Sequence, residues 1–328
     1  MLYKKSLITF INLLKNKGFG IEKIFELYKI SFIKWDYLFL LEIYKIYDNE
    51  LRSSNTFDFN DMISIANKLV LDNKLVLPYK YIIIDEFQDT SMIRLNLIKS
   101  IMKFNNAKIV CVGDDYQSIY RFAGSDIELF LDFKKYFKDS EIKYLKNTYR
   151  NSKELLFISN NFICKNKYQI KKELFSNKCN SKPIKIFFCS NKIYGLKKLL
   201  SIVDKDYMII GRNNKDIYNY VEKHEDINKL NYLTAHKSKG LESMNTILIN
   251  MTNDTLGFPS KVKNNKLVNK LFSRELYKFD EERRLFYVAL TRTKNNVYIL
   301  VDKNNMSYFI KELINDYKDY IEYIKKAF

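Results

Sequence analysis

Two stretches of this chain place carboxylates and amides where an apolar run ends. Residues 81–91 read YIIIDEFQDTS, with Asp85 and Glu86 closing the run. At the carboxyl end of a parallel strand, ligands sit in the crevice outside the sheet. An Asp there can hold Mg²⁺, directly or through water, while a neighbouring Glu orients and deprotonates an attacking water. The competing reading is a helix N-terminus, where acidic side chains favour the positive end of the dipole. The second stretch, VGDDYQSIYRFAGSD at 112–126, also leaves an apolar run. Gln117 can reach a terminal phosphate or the attacking water. Tyr120 and Phe122 flank Arg121 and offer flat rings beside a cation, the chemistry that stacks single-stranded bases. Two core aromatics are the plainer alternative.

Three further stretches carry polar chemistry. In NTYRNS (147–152), Tyr149 is available for stacking and Arg150 for a phosphate. In LTAHKSKGLES (233–243), Gly240 lets backbone approach a ligand, Lys237 and Lys239 supply positive charge, and Glu242 can accept from a ribose hydroxyl. In EERRLFYVALTRTKNNVYILV (281–301), Arg284, Val288 and Arg292 fall at helical steps. A guanidinium so placed can reach a phosphate bound on another unit, as an arginine finger does. A solvated basic surface is the alternative for each of the three.

These side chains need elements to hold them. Residues 1–75 show helical periodicity, with Phe10, Leu13, Leu14 and then Ile21, Ile24, Phe25 and Tyr28 at three- and four-residue steps. From about residue 79, apolar runs at 81–85, 108–114, 183–189, 206–211, 245–250 and 296–302 alternate with amphipathic segments near 126–137, 152–163, 194–203, 280–291 and 307–325. That alternation predicts an α/β fold with parallel sheets covered on both faces. A boundary is expected near 140–146, and an Asn/Lys-rich loop around 261–270.

With 328 residues and a formal charge of +18, the chain has room for about two domains and suits a polyanionic partner. The abundance of Lys, Asn, Ile, Tyr and Phe is also what an AT-rich genome produces. Cys111, Cys164, Cys179 and Cys189 form no C-x-x-C pair, so a zinc site or disulfide framework is not expected and a reducing cytoplasm fits. No apolar run approaches the roughly 20 residues of a membrane-spanning helix. The opening MLYKKSLITFINLLKNK reads as an amphipathic helix, its apolar core broken by Thr9 and Asn12.

In order along one chain, DEFQDTS, GDDYQSIYRF, NTYR, HKSKGLES and EERRLFYVALTR resemble motifs II to VI of the UvrD/Rep family of superfamily 1 DNA helicases, nearest in wording to the helicase IV-like branch. The resemblance covers roughly 55–302. It implies two RecA-like domains gripping ATP and Mg²⁺, with single-stranded DNA or 3′-tailed duplex DNA as the track and 3′ to 5′ movement. By resemblance, Asp85 is the magnesium carboxylate, Glu86 the catalytic base and Gln117 the γ-phosphate sensor. Tyr149 is the adenine-stacking ring, Arg150 and Arg292 the γ-phosphate arginines, and Glu242 with Gly240 the ribose site. Tyr120, Phe122, Thr234 and His236 are DNA contacts, Phe122 standing where the family often has Trp. Ala123 replaces the Arg of many relatives, and the short span between Arg212 and Leu233 leaves no room for the family's large 2B insertion.

One part of such a site is missing from the wording. A magnesium-nucleotide site normally includes a glycine loop ending in Gly-Lys-Ser/Thr. None of the eight glycines here is followed by Lys. The expected organisation is therefore a helical segment at 1–75 resembling part of the 1B insertion, an incomplete RecA-like domain at 76–145, a second at 146–304 and a C-terminal helix at 305–328. On this reading the phosphate-binding (Walker A) half lies elsewhere, the chain being one of two polypeptides or the product of a broken reading frame or a truncated gene, and this chain alone is expected to have no ATPase activity. The alternative is a non-catalytic DNA-binding or partner-docking remnant.

Overall fold

The computed structural model of the chain describes residues 2–29, 34–223, 226–262, 271 and 277–324. The backbone divides into one unit of residues 1–140 with 264–274 and another of 141–263 with 275–328. The expected second domain at 146–304 is thus interrupted. Within 264–274 the described residue, Leu271, packs in the first unit's helical core.

Four helices open the first unit: α1 (Leu2–Asn16), α2 (Ile21–Lys29), α3 (Lys34–Ser53) and α4 (Phe59–Leu71). The three- and four-residue steps seen in the sequence put Phe10, Leu13, Leu14, Ile24, Leu40, Leu41 and Tyr44 into one buried cluster. A polar network ties α1, α3 and α4 together. Asp58 caps α4 by accepting from the Asn60 and Asp61 backbone N–H groups, both at 2.8 Å. Its other oxygen accepts from Lys15 at 2.6 Å and from the Tyr47 hydroxyl at 2.8 Å, and Lys15 also reaches Asp61 at 2.8 Å. Burial opposes the charge on Lys15, but the bonds to Asp58 and Asp61 outweigh it and raise the ammonium above its ordinary range. Burial likewise opposes ionisation of Asp58, yet the Lys15 bond carries its carboxyl below the usual range.

A two-stranded parallel sheet follows, β1 (Tyr81–Ile84) beside β2 (Lys108–Cys111), with Ile84 opposite Cys111. Ile84, Ile109 and Cys111 pack on Phe87, Leu95, Leu129 and Phe137. Leu95 belongs to α5 (Met92–Asn105), against which α4 also packs. Burial pushes the Cys111 thiol up to about 12, so it acts as a small hydrophobe. The opposite face is open: Tyr81 is 66 % exposed, Ile83 75 % and Val110 50 %. The helix expected over 126–137 is two short ones, α6 (Glu128–Leu131) and α7 (Phe133–Tyr136), broken at Asp132.

The second unit contains α8 (Lys153–Cys164), β3 (Ile184–Phe188), α9 (Lys192–Ile202), β4 (Tyr207–Gly211), β5 (Tyr232–Thr234), β6 (Ser243–Leu248), α10 (Asp280–Leu290), β7 (Thr293–Val301), α11 (Tyr308–Tyr317) and β8 (Ile321–Tyr323). Its sheet runs β5-β4-β6-β7-β3-β8 and every pairing is parallel. Phe187, Ile209, Ile247 and Leu300 pack with Leu196 and Leu199 of α9. Their strand neighbours Ile186, Ile210 and Leu248 point to the other face and are also fully buried. Phe162, Phe286 and Phe309 bring α8, α10 and α11 together, with ring centroids 5.2–5.3 Å apart. This is the α/β, parallel-sheet class the apolar runs predict. The C-terminal helix expected over 305–328 is corrected: it ends at Tyr317, and Ile321–Tyr323 joins β3 as an edge strand. The Asn/Lys-rich stretch lies, from residue 263 to 270, outside the described residues. Among the described residues the four cysteines are free, and no helix is long and apolar enough to cross a membrane.

The Lys15 network yields a stability prediction. Removing one partner of a buried pair costs roughly 3–5 kcal/mol because the other charge is stranded. Asp58→Ala is therefore expected to lower the unfolding free energy of the first unit by about 3 kcal/mol or more in urea titrations followed by helix signal. Because Asp58 has a depressed pKa, its contribution is full above about pH 4 and fades as acid titrates the carboxylate. A loss below about 1 kcal/mol at neutral pH would mean the network is effectively solvated.

Candidate functional site

In the first unit, strand pairing brings the two polar stretches to the same end of the sheet. Val112 N–H donates to Ile84 O at 2.8 Å and Phe87 N–H to Val112 O at 2.9 Å, so the segments leaving β1 and β2 stay paired. Asp85 follows β1, and one of its carboxylate oxygens accepts from Glu86 N–H at 2.8 Å. Glu86 adopts φ 51° and ψ 41°, the left-handed region that a residue with a Cβ seldom occupies. Both carboxylates are exposed. A non-glycine residue in that region costs energy and is held there by the bonds around it.

Behind these carboxylates lies an amide that was not among the expected site residues. Gln88 is fully buried. Its Nε2 donates to Glu86 Oε2, its Oε1 accepts from Asp114 N–H at 2.9 Å, and its backbone oxygen accepts from Ser118 Oγ at 3.2 Å. Asp114 in turn accepts from Tyr116 N–H at 3.0 Å and from Gln117 Nε2 at 2.8 Å. Glu86, Gln88, Asp114 and Gln117 thus form one hydrogen-bonded series across both segments. Two more bonds complete the seam, Ser125 Oγ to Asp89 O at 3.1 Å and Asp126 N–H to Thr90 O at 3.0 Å. Further along, Tyr120 and Phe122 stand edge to face, centroids 6.1 Å apart, and Phe122 is 52 % exposed. The next turn is closed by Gly124 at φ 100°, where a side chain would also collide with Asn16 of α1.

The second unit gathers the other expected residues. Asn151, buried, donates to Thr293 O at 2.7 Å and to Thr291 O at 3.3 Å, anchoring the Tyr149–Arg150 segment to the α10–β7 junction. Tyr149 is 79 % exposed, an open ring. Arg150 Nε donates to Glu242 at 2.7 Å, and Lys294 pairs with the other oxygen of Glu242, also at 2.7 Å. Lys294 and then Arg150 hold the Glu242 carboxyl down at about 2. Gly240 precedes them at φ 81° with open space about its α-carbon, so its glycine serves conformation and not clearance.

Two residues stand otherwise than expected. Arg292 lies past the end of α10 and is buried, with Nε donating to Val288 O at 2.9 Å and a terminal nitrogen to Thr291 Oγ1 at 3.1 Å. Thr234 is buried too, its hydroxyl accepting from Lys237 N–H at 3.3 Å, so it shapes the turn that carries the half-buried His236. Arg283, Arg284 and Arg212 are structural: Arg283 forks onto Glu312 at 2.7 and 2.9 Å, Arg284 pairs with Asp280, and Arg212 with Glu282. Among the described residues no group of three or more His, Cys, Asp or Glu could hold a metal ion. A divalent ion at Asp85 would take its remaining ligands from water and phosphate oxygens.

Glu242 gives a direct check. Its lowered pKa means the pairing is fully present above the ordinary carboxylate value of 4.5 and is lost as pH falls toward 2. Lys294→Ala is expected to move the Glu242 titration, followed by carboxyl NMR, back toward the ordinary range. An unchanged titration would show that Lys294 does not hold it.

The family model described as the UvrD/REP helicase N-terminal domain matches residues 1–138, and that of the UvrD-like helicase C-terminal domain matches 212–304. DNA helicase IV of Escherichia coli (strain K12) is 31 % identical over 279 residues, covering 83 % of this chain and 41 % of that protein. The ATP-dependent DNA helicase Rep of Buchnera aphidicola subsp. Baizongia pistaciae is 31 % identical over 189 residues, covering 53 % and 28 %. The chain therefore spans well under half the length of either relative. Among solved structures, the PRRSV helicase superposes with a TM-score of 0.40 at 15 % identity, over 70 % of this chain and 36 % of that one.

Proposed function

The chain belongs to the UvrD/Rep family of superfamily 1 DNA helicases, and on that premise we propose that it supplies the carboxylate and arginine portions of an ATP-driven, 3′ to 5′ single-stranded DNA translocase. Asp85 holds Mg²⁺, Glu86 takes the proton from the attacking water, and Gln117 senses the γ-phosphate. Tyr149 stacks on adenine, Glu242 beside Gly240 binds ribose, and Arg150 and Arg292 meet the phosphates. Tyr120, Phe122 and His236 contact DNA, with Thr234 shaping the turn beneath. When bound, magnesium ATP supplies the phosphoryl group that water attacks.

The observation that carries this reading is the hydrogen-bonded series Glu86–Gln88–Asp114–Gln117 at the carboxyl ends of two parallel strands. Parallel strands place ligand chemistry at that end, and a base must be oriented before it can act. The roles of Arg150 and Arg292 require movement. Arg150 must exchange Glu242 for phosphate, and Arg292 must turn out from Val288 and Thr291.

The triphosphate needs a clamp that this sequence does not spell, since no Gly-Lys-Ser/Thr occurs in it. Backbone N–H groups and a lysine on the β- and γ-phosphates supply much of the electrostatic catalysis in such sites. The open face of the β1–β2 sheet supports a further polypeptide segment here. Parallel sheets are ordinarily covered on both faces, and Tyr81, Ile83 and Val110 lie bare on the sheet that ends at Asp85. A segment carrying the phosphate loop would cover the open face of the sheet whose strand end bears Asp85.

Two outcomes follow. The purified 328-residue chain is expected to release no phosphate from ATP with single-stranded DNA present, and to do so when mixed with a polypeptide bearing the loop. DNA-stimulated release by the chain alone, abolished by Glu86→Gln, would contradict the reading. Restored turnover on mixing excludes the non-catalytic alternative. Separately, Phe122→Ala is expected to weaken single-stranded DNA binding by about 1–3 kcal/mol in fluorescence titrations, the worth of one stacked base. The slope of log K against log salt should not change, because no phosphate contact is removed. An unaffected affinity would take Phe122 out of the DNA site.

A further inference from the structure

We propose that Gln88 is a positioning residue that couples Glu86 to the Gln117 loop, a role resting on the reading of Glu86 as base and Gln117 as phosphate sensor. The orientation of its carboxamide is dictated. Asp114 N–H can only donate, so the group facing it is Oε1; the other end, Nε2, can only donate, so Glu86 must be the acceptor. Turning the amide over would oppose donor to donor and oxygen to carboxylate in a buried place, where an unmet polar group is costly. The side chain has little freedom to evade this. Its neighbour Phe87 is locked among Phe130, Phe133 and Phe137, with centroids 5.5–6.5 Å away. A methyl on Gly113 would collide with Gln88 Oε1 and with Phe130, so glycine is required for the approach.

The coupling runs through Asp114. Its backbone N–H holds Gln88, while its carboxylate caps the following turn at Tyr116 N–H and grips Gln117 Nε2. When Glu86 shifts toward a water or changes charge, the Gln88 amide must follow, and Asp114 carries that change into the segment bearing Gln117 and the exposed Phe122 ring. Gln88 touches neither phosphate nor DNA in this scheme. It sets the geometry of residues that do.

The chain contains three glutamines, Gln88, Gln117 and Gln169. Labelling the full chain with [15N]glutamine therefore gives three side-chain amide pairs. Gln169, in the second unit and accepting from Arg284 at 3.1 Å, is the internal reference. Glu86→Asn, which removes the carboxylate and suits the left-handed backbone, is expected to shift the amide signals of Gln88 and Gln117 and leave Gln169 in place. In a Gln88→Met background, the Gln117 shift caused by Glu86→Asn should vanish, which a merely space-filling Gln88 would not bring about. Gly113→Ala, which crowds the Gln88 amide while replacing no polar side chain of the series, should uncouple the two in the same way. A Gln117 signal that ignores Glu86→Asn, or follows it equally without Gln88, overturns the proposal. Neither nucleotide nor DNA enters this test. Failure of every assembly to hydrolyse ATP would sink the functional reading and leave the coupling standing, and the reverse also holds.

Discussion

A polar group withdrawn from water has to be met by another, and around Gln88 that requirement organises the whole end of the first sheet. The carboxamide sits at zero exposure between two segments that have just left parallel strands. Its two ends accept and donate in opposite directions, so each segment fixes the conformation of the other. Glu86 can then occupy its left-handed backbone, because bonds on both sides hold it there. Gly113 has to be glycine, Asp114 caps the next turn, and Gln117, half-buried, is held by Asp114 on the segment paired with the one that bears Asp85. Apart from the amide, the two segments are joined by backbone pairing and by the Ser118 and Ser125 hydroxyls.

The second unit solves a different problem with charge. Arg150, Glu242 and Lys294 come from three separate stretches and meet at a partly exposed site, where one carboxylate is shared by two cations. Exposure and salt make such pairs weak contributors to stability, so this cluster is better suited to exchanging partners than to holding the fold. The fold itself rests on buried pairs elsewhere, Arg283 with Glu312 and Arg284 with Asp280, which tie α10 to α11 and close its own first turn. Arg283, Arg284 and Lys294 thus lie within twelve residues of one another and differ in exposure, at 1 %, 3 % and 39 %.

Much of this was legible in the residues. The parallel strands announced themselves because strands buried on both faces are apolar throughout, as YMIIG and the latter part of β7 are. Tyr232–Thr234 was missed because three residues give no period to read, and Ile321–Tyr323 because its apolar spacing continues that of α11. Asp85, Glu86 and Gln117 could be picked out as chemistry at strand ends. Gln88 could not, since a glutamine flanked by Phe and Asp reads as surface until a distant Asp114 N–H is found against it. Lys294 was hidden for the same reason, its partner lying fifty-two residues earlier in the chain. Arg292 looked like one more helical step after Arg284 and Val288. The helix stops at Leu290, and the bond from Arg292 Nε to Val288 O keeps that side chain against the helix end.

We propose that the carboxylate site of this chain works with a phosphate clamp on a further polypeptide segment, because no Gly-Lys-Ser/Thr occurs in these 328 residues. Calorimetric titration of magnesium ATP into the 328-residue chain tests it directly. No saturable binding in the micromolar range is expected of the chain alone. Binding should appear when a polypeptide carrying the glycine-lysine loop is added and be lost again with Asp85→Ala. Micromolar binding by the chain alone, abolished by Asp85→Ala, would contradict it, because some cradle within these residues would then be holding the triphosphate.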